Sequence, residues 1–164
     1  MLARISTFFE CTDEQFWDKI IEPKSLQYVA APILRFEPLV AGELDGEWIV
    51  GKTYVVRLHF LGFLPLGQHR IRIVAIDRAM NTIESQESGS LARVWNHTIR
   101  FHPSGAGQLH YTDEIEIEAG LLTVFIWAFA HLFYRHRQRR WKELLDIGEK
   151  HFTKAPKLGA ESWE

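Results

Sequence analysis

The chain has 164 residues, a formal net charge of −2, 46% hydrophobic and 13% aromatic residues, and a single cysteine. That length suffices for one domain with a real core. The near-neutral charge excludes the global positive field that holds nucleic acid, and the lone Cys11 excludes an internal disulfide and suits the reducing cytoplasm.

The N-terminal "MLARISTFFE" carries one arginine and no long apolar core, so no signal peptide is expected. Its segment 3–10 is rich in β-branched and aromatic residues and reads as a strand. In "CTDEQFWDKIIEP", Thr12 and Gln15 have capping-box spacing, and Phe16, Trp17, Ile20 and Ile21 form an apolar stripe. Pro23 closes that helix and opens a second short one, 23–32, which Pro32 ends. Strands follow near 34–38, 51–61, 68–77, 81–88, 92–102 and 108–118. The turns between them carry Gly, Asn, Asp or Pro. After Gly120 the period becomes helical and holds to about Phe152. Residues 1–152 are thus expected to form one domain, with 153–164 as a flexible tail.

Strand runs joined by short turns imply an antiparallel sheet of about seven strands. About 30 helical residues at ~1.5 Å each give a rod of roughly 45 Å, long enough to lie across it. A curved α+β sheet gripping such a helix leaves a cavity between the two. The helix contains "LLTVFIWAFAHLFY" (121–134), too short and too interrupted for a membrane span, which needs about 20 apolar residues.

Several segments resemble a ligand-binding branch of the START-like, polyketide cyclase/dehydrase (SRPBCC) superfamily. They are "LGFLPLGQHRIRI" (61–73), "ESQESGSLARVWNHTIRF" (84–101), "YTDEIEIEAG" (111–120) and "FYRHRQRRWKELL" (133–145). The spacing Gln86, Gly89, Trp95, His97, Phe101 and Asp113 before the long helix carries the resemblance, which spans about 1–150. It implies the helix-grip fold and a hydrophobic or amphipathic ligand, such as a lipid, isoprenoid, quinone or aromatic polyketide. Only some members of the superfamily are enzymes. Binding or carriage is therefore the leading expectation. A cyclase- or dehydratase-type enzyme and a protein-interaction module with a filled cavity are the alternatives.

Period 2 places Trp95, His97, Ile99 and Phe101 on one strand face, and Tyr111, Asp113, Ile115 and Ile117 on the matching face of its hairpin partner. Glu114, Glu116 and Glu118 then face water. If the hairpin turns at Ser104–Gly105, His97 lies opposite about Thr112, and a one-residue bulge brings Asp113 across. A buried His97–Asp113 pair either satisfies two polar groups or serves as a general base. No nucleophile accompanies it.

On the long helix, a stripe centred on Phe133 contains Leu122, Ile126, Phe129, Leu144 and Ile147. Arg137 and Arg140 fall inside that stripe, while Arg135, Gln138, Arg139 and Lys142 are expected in solvent. A buried arginine needs a partner, either a sheet carboxylate such as Asp113 or Glu84, or the carboxylate or phosphate of a ligand. Cavity walls are expected from Trp95, Ile99, Phe101, Tyr111 and Ile115, from Phe129 and Phe133, and from Phe60 or Tyr54.

The histidines are scattered and no CxxC, HExxH, GxGxxG or P-loop is present, so neither metal nor cofactor is expected. The apolar "LHFLGFLPLG" (58–67) reads as a tucked loop or a lid, with peripheral membrane contact as the third option. Monomer and homodimer are both compatible with the sequence.

Overall fold

A computed structural model describes the backbone of residues 1–152 and the side chains of residues 1–147. The predicted tail, 153–164, lies outside the described residues. The chain runs β1 (Leu2–Phe9), α1 (Asp13–Ile20), α2 (Pro23–Ala30), β2 (Leu34–Pro38), β3 (Thr53–Phe60), β4 (Leu64–Asp77), β5 (Thr82–Gly89), β6 (Val94–Gly105) and β7 (Gln108–Glu118). A short 3-10 turn (Gly120–Leu122) then leads into α3 (Thr123–Phe152). All seven strands form one antiparallel sheet in the order β1-β7-β6-β5-β4-β3-β2. β1 and β2 therefore occupy opposite edges, and α1 and α2 carry the chain from one edge to the other.

Local chemistry sets these elements. Thr12 caps α1: its Oγ1 accepts from the Gln15 amide at 3.2 Å, and Gln15 Oε1 accepts from the Thr12 amide at 2.8 Å. Pro23 opens α2, where its missing N–H costs nothing. β4 starts at Leu64, earlier than the sequence suggests, because "LGF" forms a tight hairpin turn with Leu61 and Gly62 both at positive φ. The greasy segment is thus a long β3–β4 hairpin whose tip stands in solvent.

The core has two parts. One lies between the sheet and the first half of α3, around Ile5, Val56, Ile73, Ile115 and Phe133. The other is an aromatic plug at the α1 end, where Phe16 packs on Phe101, Tyr111 and Trp141 with ring centroids 4.9, 5.4 and 5.1 Å away. The plug closes one end of the grip. No helix among the described residues is long and apolar enough to cross a membrane.

Two expectations need correction. The β6–β7 hairpin turns near Gly107, not Ser104–Gly105, so His97 pairs with Ile115 and Asp113 with Ile99. His97 and Asp113 are diagonal neighbours on one face, close enough for long side chains to meet. The buried face of α3 holds Ala130, Phe133, Tyr134, Arg137, Gln138, Trp141 and Leu145. Its centre lies about 80° round the helix from Phe133, towards Trp141, at ~100° per residue. That rotation buries Gln138, which the sequence placed in solvent, and exposes Leu122 and Ile147. The aromatic residues Tyr134 and Trp141 set the phase, since they fill the concave sheet better than the smaller aliphatics.

Candidate functional site

A cavity of about 140 Å³ lies between the sheet and α3. Its wall is mostly apolar: Leu34 and Phe36 from β2, Leu58 from β3, Ile71 and Ile73 from β4, Ile99 from β6, and Ile126, Phe129 and Phe133 from α3. Trp48, in the loop before β3, also lines it. Polar groups enter from two sides. His69, Ser85, Glu87 and His97 come from the sheet, and Tyr134 and Arg137 from the helix.

Behind His97 sits a buried network. Asp113 is fully buried. Its Oδ1 accepts from His97 Nε2 at 2.8 Å and from Tyr111 Oη at 2.6 Å. Its Oδ2 accepts from Gln138 Nε2 at 3.0 Å, and the same amide nitrogen donates to the Ile5 carbonyl at 2.9 Å. Burial alone would push the Asp113 carboxyl up, but the His97 hydrogen bond, the Arg137 charge and the Tyr111 hydroxyl outweigh it and hold the group below its ordinary value. The Tyr111 phenol is pushed well up by burial and by the Asp113 charge, so it stays protonated and donates. Asp113 lies behind the cavity wall, with both oxygens engaged.

A second network was not anticipated. Glu87 Oε1 accepts from Ser85 Oγ at 2.6 Å, and Oε2 meets His69 Nε2 at 2.8 Å. Burial would raise the Glu87 carboxyl, yet the His69 hydrogen bond and the His69 and His97 charges together hold it down. The sequence did contain a signal: Ile83, Ser85 and Glu87 alternate on β5, as do His69, Ile71 and Ile73 on β4. Each polar residue therefore shares the face of a core isoleucine.

Arg137 is buried, and among the described residues its guanidinium makes neither a hydrogen bond nor an ion pair. It lies over the Tyr134 ring, 4.7 Å from the centroid, and 5.9 Å from that of Phe133. Burial alone would lower its pKa; Tyr134, Asp113, Tyr111 and Glu87 outweigh burial, so the group is charged. Tyr134 in turn accepts from Trp95 Nε1 at 3.1 Å. A desolvated cation over aromatic faces, without a carboxylate in contact, leaves its N–H donors open to an acceptor.

Of the residues singled out from sequence, Trp95, His97, Ile99, Phe129, Phe133 and Arg137 line the cavity. The others sit elsewhere, each for a visible reason. Phe101 and Tyr111 belong to the plug around Phe16. Trp48 packs edge-on against Tyr54 and covers it, while the Tyr54 hydroxyl accepts from the Ile49 amide at 3.0 Å. Ile115 sits in the fully buried core, paired with Ala3 of β1 and with His97. Phe60 packs at the edge of Phe129, 6.3 Å between centroids. Arg140 turns away: it pairs with Glu143, and its guanidinium stacks 4.1 Å above the Tyr28 ring of α2. The helix rotation described above removes it from the cavity side. Glu84, offered as an arginine partner, alternates with Ser85 and so points to the outer sheet face. No three His, Cys, Asp or Glu side chains converge on a metal site among the described residues.

Both buried acids have folded-state values below their unfolded ones, so their ionised forms stabilise the fold. That contribution is complete above the unfolded values near ~4 and is lost as pH falls through the folded ones. The unfolding temperature, followed by circular dichroism across acid pH, is expected to drop steeply below about pH 4. Glu87→Gln is expected to flatten part of that slope, and an unchanged slope would show that Glu87 is not one of the groups responsible.

The sheet, the long C-terminal helix and the two short helices after the first strand make up a helix-grip fold. Solved structures share it at low sequence identity. Protein CV1439 from Chromobacterium violaceum superimposes with a TM-score of 0.70 at 14% identity, covering 88% of this chain and 96% of that one. TTHA0849 from Thermus thermophilus gives 0.66 at 10% identity, covering 90% and 99%. Norcoclaurine synthase from Thalictrum flavum, in complex with dopamine and hydroxybenzaldehyde, gives 0.65 at 13% identity, covering 96% and 89%. No curated protein matches the chain. The chain belongs to the family described as a domain of unknown function, DUF8410, which matches residues 8–145.

Proposed function

We propose that this protein binds a small amphipathic molecule, an aromatic or other apolar body bearing an acid group, in the cavity between sheet and helix. The observation that carries this reading is Arg137: a buried guanidinium facing an apolar cavity without a carboxylate partner among the described residues. A ligand carboxylate or phosphate supplies the direct contact, in a bidentate fork, that the more distant Asp113 and Glu87 do not make. The cavity volume of about 140 Å³ favours one or two fused rings over a long lipid chain. It resembles the ~150 Å³ apolar cavities that accept benzene more than the ~300–1,000 Å³ pockets of drug-sized ligands. Norcoclaurine synthase, solved with dopamine and hydroxybenzaldehyde, provides a precedent for single-ring ligands on this fold. The single cysteine fits a cytoplasmic location.

Calorimetric titration with benzoate and 2-naphthoate tests the reading, beside native mass spectrometry of the freshly purified protein for a co-purified ligand. Saturable binding of an acid, with the uncharged alcohols binding at least tenfold more weakly, is expected. Leu58→Trp, which fills the cavity from β3, should abolish it. Absence of both a co-purified adduct and any titration signal would remove the proposal.

A second reading, proton transfer in a cyclase- or dehydratase-type reaction, draws on the buried His97–Asp113 pair at the cavity wall. Its signature is turnover that His97→Ala abolishes while 2-naphthoate still binds.

A further inference from the structure

The outer face of α3 and the 3-10 turn before it are unusual for a surface. Leu121 of the turn is 99% exposed, Phe125 and Leu132 of α3 are 74% and 71% exposed, and Val124 stands beside them. At ~100° per residue Phe125 and Leu132 share one stripe of α3, opposite the face that grips the sheet. Further along, the same stripe continues as exposed Arg135, Arg139 and Lys142. The helix therefore presents an apolar half followed by a basic half on its solvent side.

The β3–β4 hairpin extends this surface. Phe60 packs on Phe129, one helical turn from Phe125, and beyond Phe60, at the hairpin tip, Phe63 is 75% exposed. The patch adjoins the cavity, since Leu58 and Leu66 of the hairpin and Ile126 and Phe129 of α3 line it. The exposed charges that follow on the outer side of α3 are basic, Arg135, Arg139 and Lys142, while Arg57 of β3 pairs with Glu37 and Arg140 with Glu143. Arg139 bonds to His136 instead of an acid.

Exposed apolar side chains grouped in this way mark an interaction surface. We infer that the 3-10 turn, the N-terminal half of α3 and the β3–β4 tip form a docking surface for an anionic lipid bilayer. Leu121, Phe125 and Phe63 enter the interface, and Arg135, Arg139 and Lys142 lie against lipid phosphates. The charge pattern selects this occupant: apolar side chains match acyl chains, and the exposed Arg135, Arg139 and Lys142 match lipid head groups. The inference stands on the surface itself, whether or not the cavity binds an acid.

Co-sedimentation with vesicles of phosphatidylcholine alone, and of phosphatidylcholine mixed with phosphatidylserine, is the test. The protein is expected to pellet with the mixed vesicles, less so at high salt, and weakly with phosphatidylcholine alone. Leu121→Asp with Phe125→Asp should abolish pelleting without lowering the unfolding temperature, because both side chains are solvent-exposed. Arg135→Gln with Arg139→Gln should weaken binding to the mixed vesicles by about 30-fold and leave the weak binding to neutral ones unchanged. Failure of the wild-type protein to pellet with either vesicle overturns the inference. So does a dimer in sedimentation velocity that the aspartate pair dissociates, which would assign the patch to self-association.

Discussion

Asp113→Ala is expected to destabilise the fold by about 3–5 kcal/mol, the cost of removing one member of a buried charged network. The carboxylate is the shared acceptor for His97, Tyr111 and Gln138, all within 3.0 Å. Truncation leaves three donors buried without it, each facing a desolvation penalty of about 1–3 kcal/mol, partly relieved by repacking and water entry. In a domain of this size about 1 kcal/mol moves the midpoint by roughly 2–4 °C, so the unfolding temperature should fall by roughly 6–20 °C. Asp113→Asn retains an acceptor but adds an NH₂ beside donors and should lie between the two. If Asp113→Ala unfolds within a degree of wild type, the network is not holding α3 to the sheet.

Arg137→Met is expected to act differently. The guanidinium has been taken out of water without a direct hydrogen bond or ion pair among the described residues, so its removal relieves a desolvation cost, offset by the lost attraction for Asp113 and Glu87. The unfolding temperature should therefore change much less than in Asp113→Ala. If the cavity takes an acid, affinity for 2-naphthoate should fall by about 100-fold, near the ~2–3 kcal/mol of a charge-assisted bond in a desolvated site. The neutral alcohol should bind the variant at least as well as wild type. Calorimetry and thermal unfolding on the same preparation separate the two effects. Loss of stability with no change in acid affinity would make Arg137 a structural residue.

The order of elements was readable because each carries its own local signal. Thr12 and Gln15 mark one helix start, Pro23 another, and period 2 runs through β6 and β7 with few exceptions. The inner face of β6 was legible for the same reason: Trp95, His97 and Ile99 alternate with polar neighbours. Helix phase was harder. Leu122 and Ile147 look like core residues and are exposed, whereas Gln138 looks like surface and is buried. An α-helix apolar on more than one side does not announce which side the sheet will take, and here the concave surface accepted Tyr134 and Trp141. Arg140 followed that rotation out of the predicted stripe, while Arg137 stayed within it. Hairpin register was hard as well, because "PSGAG" offers several turn positions and one shift relocates every cross-strand neighbour. Glu87 escaped notice because a glutamate between Gln86 and Ser88 looks solvated. Only its place two residues beyond Ser85 and four beyond Ile83 reveals its inward side.

The placement of β1 has a consequence for how the protein is made. Its hydrogen-bonding partner is β7, and the Ser6 and Thr112 hydroxyls meet at 2.9 Å across 106 residues. The first strand thus leaves the ribosome long before anything can pair with it, and Phe9 is exposed until the plug residues Tyr111 and Trp141 arrive. The meander β2 to β6 needs only near neighbours and can form during synthesis. Closure of the grip waits for the last third of the chain, and a truncated nascent chain therefore presents an unpaired edge and unburied aromatics to whatever chaperones attend it.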